Sequence, residues 1–196
     1  MLEALSSDIT NIKKLNFKEL ISNYILGNIS KSQLPEVGLA GLKENLDSKA
    51  LVILAGMSEK DNSFEIEEYY KRALIELEFE EPSKLEAAKI LLIHYLKKMI
   101  SSKENAFELM GKIDNEIYNQ VDWKVLVKDE PIYVGEEIGL EKLFTWYREI
   151  QDWDDGGKLL YYNELPKEQQ KRKFEEHLVE EAKELLNKLE KEKNTK

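Results

Sequence analysis

The chain has 196 residues, 42% hydrophobic and 35% charged, with 29 lysines and arginines against 39 aspartates and glutamates, for a formal net charge of −10. The absence of cysteine excludes disulfides, thiolate catalysis, zinc ribbons and iron–sulfur clusters. A negative field repels phosphate backbones, and the one basic run, Lys167 to Lys173, is interrupted by Glu168, so no nucleic-acid partner is expected.

The opening stretch MLEALSSDITNIKKLNF lacks a basic region followed by an apolar run, so it does not read as a signal peptide. No apolar run is long enough to cross a bilayer. The expectation is a cytoplasmic protein with no membrane contact. Only four prolines and nine glycines punctuate the chain, which suits long helices.

Residues 1–14 hold few apolar anchors and read as a flexible N-terminus. Residues 15–190 read as a single helical domain, and 191–196 as a frayed C-terminus. From Asn16, the residues Phe17, Leu20, Ile21, Tyr24 and Ile25 recur at helical spacing, and Gly27-Asn28 supplies a stop. Pro35 sits in the first turn of the next helix, where a missing N–H costs nothing. Leu34, Val37, Leu42 and Leu46 give that helix an apolar side, while Gly38 and Gly41 leave a smooth face for close helix approach. Asp47 or Ser48 caps an uncharged helix from Ala50 to Met57, which should be buried on most sides.

After a polar loop, Phe64 to Phe79 is predicted helical, with Ile66, Tyr69, Tyr70, Ala73, Leu74 and Leu77 on one side. Pro82-Ser83 marks the start of the candidate central helix, Lys84 to about Ser101, whose stripe is Leu85, Ala88, Leu92, Leu96 and Met99. Glu104 to Gln120 follows. Trp123, Val125 and Val127 then alternate before Asp129-Glu-Pro, a pattern that predicts a short β-hairpin or extended excursion over 123–134. Glu136 to about Asp152 returns to helix, 152–165 reads as a loop, and Pro166 opens a terminal helix with Phe174, Leu178, Ala182, Leu185 and Leu189 on one side. The fold class is therefore mainly all-α, an array of antiparallel helix pairs joined by short loops.

The stretch LPEVGLAGLKENLDSKALVILAGM, Leu34 to Met57, resembles the opening motif of an uncharacterised family of small bacterial helical proteins: a proline-started helix, an acidic turn with serine, and a short Leu-Ala-Gly helix. The likeness continues through Pro82-Ser-Lys-Leu-Glu-Ala-Ala and Glu104 to Ile113, and it ends before Trp123. It implies a helical fold and no particular activity.

No catalytic or metal signature survives inspection, so no cofactor is expected. Asp152-Trp-Asp-Asp-Gly-Gly resembles part of a calcium loop, but an EF-hand needs an oxygen ligand at its fifth position and glutamate at its twelfth; counted from Asp152 these are Gly156 and Asn163. His177 has Glu180, Glu181 and Glu184 at helical spacing, yet a metalloprotease helix needs a second histidine where Glu181 stands. A di-iron motif needs an acid where Phe174 stands. His177 reads as an exposed, charge-paired residue and His94 as a core-border one. Nucleophile elbows and phosphate-binding glycine loops are absent.

The densest feature is the segment 136–164. From Asp129 to Glu164 there are ten acids against three bases, Lys142, Arg148 and Lys158. Trp146 and Trp153, seven residues apart, share a helix side. With Glu149, Asp154, Asp155, Tyr161 and Tyr162 they form a candidate interaction surface, aromatic anchors rimmed by acids that suit a basic protein partner. Leu160-Tyr161-Tyr162 resembles the tyrosine pair of colicin-nuclease immunity proteins, which implies an inhibitory role against a basic toxin. The alternatives are core tryptophans with a solvated acidic rim, a carboxylate- or metal-dependent enzyme, and a structural subunit that forms homo-oligomers through its aromatic face.

Overall fold

Asn16 begins the first of the described helices because its side chain accepts from the Glu19 N–H while Glu19 reaches back to the Asn16 N–H, both at 2.9 Å, a reciprocal cap that satisfies two otherwise orphaned donors. The computed structural model describes residues 14–126 and 132–194. Most of the N-terminal stretch read as flexible lies outside the described residues, as do 127–131 and the last two residues. Among the described residues there is no strand, and the fold is all-α. The α-helices among the described residues are α1 (Phe17–Leu26), α2 (Pro35–Lys43), α3 (Lys49–Gly56), α4 (Ser63–Glu76), α5 (Lys84–Ser101), α6 (Ala106–Lys112), α7 (Trp123–Leu126), α8 (Glu141–Asp155) and α9 (Lys167–Asn194). None is long and apolar enough to cross a membrane.

The chain forms two compact units, one up to Ile90 and one from Leu91, with the division inside α5. In the first, α2 packs on α1 and α3, and α3 on α4. Phe17, Leu20, Ile21, Leu34, Val37, Leu51, Leu54, Ile66 and Tyr70 form its core. The glycine face expected on α2 is present. A Cβ on Gly38 would stand 2.7 Å from the Ala55 backbone nitrogen, and one on Gly41 would stand 3.0 Å from the Phe17 ring. The short helix α3 is less buried than its composition predicts, because its Val52 and Ile53 face out at 52% and 45% exposure. Its free N–H groups are met twice: Ser48 accepts from Leu51 at 3.0 Å, and Glu76 of α4 accepts from Ala50 at 2.9 Å.

The Ala50 N–H, helped by Arg72, holds the Glu76 carboxyl below the ordinary glutamate range. A depressed native value stabilises the fold above the unfolded value, and that contribution is lost as pH falls through the native one. Replacing Glu76 by Gln should therefore destabilise at neutral pH and make progressively less difference in acid. Urea denaturation of both proteins at neutral and acid pH checks this.

In the second unit, α9 packs along α8 and α6, and α8 also contacts α6. Met99, Met110, Ile113, Ile117, Leu143, Ile150, Phe174, Leu178 and Ala182 are buried. The helix continuing from α6 widens to a π-turn over Ile113–Ile117 and tightens to a 3-10 turn over Tyr118–Gln120. The described part of the predicted hairpin takes another form. Residues 123–126 make one helical turn, because the Trp123 indole N–H donates to the Tyr118 carbonyl at 2.9 Å and its ring stacks on Tyr118 at 5.6 Å. Trp123 is thereby buried while Val125 is 78% exposed, so the two do not share a face as alternate strand residues would.

Candidate functional site

Helix α8 extends past its predicted end through Asp155 and stops at Gly156, which takes the left-handed conformation at φ 73° that glycine adopts without strain. Asp154 and Asp155 therefore belong to the last turn of a helix instead of a loop, and both are exposed, as is Asp152. The chain then turns back across the side of α8 that faces α9.

Glu149 braces that return. It is only 2% exposed, and its two carboxyl oxygens accept from the Leu160 N–H at 3.0 and 3.2 Å and from the Tyr161 N–H at 3.2 Å. Its position corrects the surface expected from sequence. The sequence puts Glu149 among the acids of the candidate surface, but burial removes it from the surface, and its acceptors are spent on the loop backbone.

Trp146 lies one turn before Glu149 on α8 and is half-buried. Its ring stacks on His177 of α9 with centroids 4.0 Å apart and planes at 13°. Tyr161 tilts against it at 5.0 Å, and Tyr162 and Phe174 lie at 6.5 and 6.3 Å. Tyr162 takes a positive φ of 57°, sparsely populated for a side-chain-bearing residue. Its hydroxyl is 2.6 Å from His177 Nε2, while His177 Nδ1 is 3.2 Å from Glu180. Gln170 donates to the Tyr162 carbonyl at 2.9 Å, so the strained residue is held from both its backbone and its side chain. Next to His177, Glu176 is held below the ordinary glutamate range, chiefly by its hydrogen bond to Lys173.

Trp153 points to the same partner helix, as its seven-residue offset from Trp146 predicts. Its indole N–H donates to the Lys167 carbonyl at 3.0 Å, and the Lys167 and Lys171 ammonium groups lie 4.8 and 5.2 Å from the ring centroid. Two cations over its ring make Trp153 an internal brace, not an anchor offered to a partner. The outward apolar groups are instead Leu160, at 74% exposure, and Tyr161, at 45%. Only one member of the tyrosine pair is thus presented, since Tyr162 is tied to His177.

The structure brings together Trp146, Glu149, Leu160, Tyr161 and Tyr162 with one residue the sequence does not place there, His177. His177 Nδ1 lies beside the Glu180 carboxylate, and the ring is half-buried against Trp146 where exposure is expected from the sequence. The carboxylates following it drew attention to metal chemistry, and among the described residues no group of three His, Asp or Glu forms a metal site. No protein-family model matches this chain, and neither a curated protein nor a solved structure does.

Proposed function

We propose that the chain is a protein-interaction module whose contact surface is the Leu160–Tyr161 loop together with the acidic end of α8. One observation carries this reading: two exposed apolar residues sit on a loop whose backbone is clamped from beneath by a buried glutamate. An apolar pair already held in one conformation loses little further entropy on binding. A tyrosine supplies a large amphipathic contact area of the kind binding hot spots use. Asp152, Asp154 and Asp155 beside the loop, in a chain of net charge −10, steer and rim a basic protein partner. The specific version is an inhibitory, immunity-type role, to which the resemblance at Leu160-Tyr161-Tyr162 lends support through Tyr161 alone, since Tyr162 is tied to His177. The cysteine-free composition supports a cytoplasmic setting.

Charge reversal tests the electrostatic half of the proposal. In affinity capture from host lysate, the Asp154→Lys/Asp155→Lys variant should retain less of a basic protein held by the wild type, and the loss should be smaller at high salt. Both acids are exposed, so melting should be nearly unchanged. Equal retention by both proteins would remove the acidic rim from the proposal.

A self-associating subunit is the second reading. It is favoured by Leu39, Val52 and Ile53, which stand 38%, 52% and 45% exposed on α2 and α3. A monomeric mass by light scattering at high concentration would eliminate it.

A further inference from the structure

Helix α3 and the two residues after it carry no charged side chain from Ala50 to Ser58. A helix that is apolar all round is normally covered all round, but this one is covered on one side. Ala50, Leu51 and Leu54 are buried in the core that α3 shares with α2 and α4. Lys49, Val52, Ile53 and Gly56 are exposed. At about 100° per residue those four form a single outward stripe, at i, i+3, i+4 and i+7. Gly38 of α2 abuts Ala55 at the edge of the stripe, and the next residue, Leu39, is itself 38% exposed.

Opposite charges bound the stripe. Lys49 is in the first turn of α3, where the aligned peptide dipoles leave a partial positive charge that disfavours a cation. Glu59 lies just past the carbonyl end, which disfavours an anion. Both are exposed, and neither has an ion pair or a side-chain hydrogen bond among the described residues. Within one chain, each charge stands at the end of the helix that suits the other. A second α3 laid antiparallel exchanges the ends, so the stripe is complementary to itself.

We propose that the outer stripe of α3 is a two-fold contact between two copies of this chain, with the two α3 helices antiparallel. In the register that faces all four stripe residues, Val52 lies over Ile53 of the second copy. Lys49 lies over the end that carries Gly56 and Glu59, and the two-fold axis repeats each contact in the other direction. Each ammonium group then meets a helix carbonyl end and a carboxylate, and the apolar middle of the stripe leaves water. The contact is one short helix wide, smaller than the surfaces that hold permanent dimers, so the association is weak. This inference rests on the self-association reading above and gives it a surface, an orientation and a register. It is independent of the Leu160–Tyr161 loop.

Sedimentation equilibrium of the full chain, from micromolar to millimolar concentration, tests it. The wild type should show a reversible monomer–dimer equilibrium with a Kd of about 0.1 mM. Val52→Asp places like charges in the contact and should weaken the dimer at least about tenfold. Lys49→Glu and Glu59→Lys should each weaken it about fivefold, and Lys49→Glu/Glu59→Lys together should return it to the wild-type value. The chain has no cysteine, so Ile53→Cys supplies a single thiol close to the axis, which should oxidise to a covalent dimer. Ile75→Cys, on α4 and 77% exposed at the native residue, should cross-link far more slowly. A dimer that Val52→Asp leaves intact overturns the pairing and leaves self-association standing through another surface. So does a Lys49→Glu loss that the double variant does not recover, or cross-linking no faster at 53 than at 75. A chain that stays monomeric at millimolar concentration overturns both the pairing and the self-association reading.

Discussion

Replacing Glu149 by Ala is expected to destabilise the protein by about 2–3 kcal/mol, since two hydrogen bonds to partly buried N–H groups are lost and a void opens beneath the loop. Glu149 is 2% exposed and is the acceptor for both Leu160 and Tyr161. The consequence should be local as well as global. Amide exchange at Leu160 and Tyr161 should accelerate far more than exchange in α9, because the clamp acts on the loop backbone. Glu149→Gln should lose less, since it keeps one carbonyl acceptor but turns an amide NH₂ toward groups that are themselves donors. Urea denaturation with residue-resolved hydrogen exchange checks both effects. A change below about 0.5 kcal/mol, within the range of an unremarkable surface substitution, would mean that Glu149 does not hold the loop.

The second large effect is expected at Gly38. Its missing Cβ lets α2 approach the Ala55 backbone, and the 2.7 Å contact a Cβ would make is with main-chain nitrogen, which cannot rotate aside. Gly38→Val should cost about 3 kcal/mol, the upper end of overpacking penalties. Gly38→Ala should cost less, as the gain in helix propensity of about 1 kcal/mol offsets part of the clash. Gly56, at the end of α3, provides the contrast: a Cβ there meets nothing within 4 Å, so Gly56→Ala should leave stability unchanged or raise it slightly. Thermal melts of the three variants decide. Equal losses at Gly38 and Gly56 would contradict a packing role for the bare face of α2.

Much of the helical layout was legible because apolar spacing and punctuation agree. Pro35, Ser48, Gly27 and the stripe of α5 each mark a boundary or face through a local rule, and the structure follows them. Misreadings arose where a long-range contact decided. The alternation of Trp123 and Val125 has the period of a strand, but the ring of Trp123 is captured by Tyr118, and that pairing is invisible to periodicity. Glu149 belongs to an acid-rich stretch, and nothing in its neighbours along the chain distinguishes it from the exposed Asp152. Its burial depends on the loop returning after Gly156. For the same reason the sequence presents Trp153 as an anchor, whereas Lys167 and Lys171 lie over its ring. The helical offset of Trp146 and Trp153 did indicate that both address one neighbour, which is α9. His177 could have been found by asking which residue of the terminal helix lies opposite Trp146, a question that needs the pairing of α8 with α9 already in hand.

The most direct measurement is quantitative capture of partner protein by the wild type and by a Leu160→Asp/Tyr161→Ala variant, with melting and circular dichroism on the same samples. Both residues are exposed, so the variant should fold as the wild type does. If the loop is the contact surface, a basic protein retained by the wild type will be lost by the variant. Equal retention by both, or retention of no protein by the wild type, would contradict the loop as a binding surface.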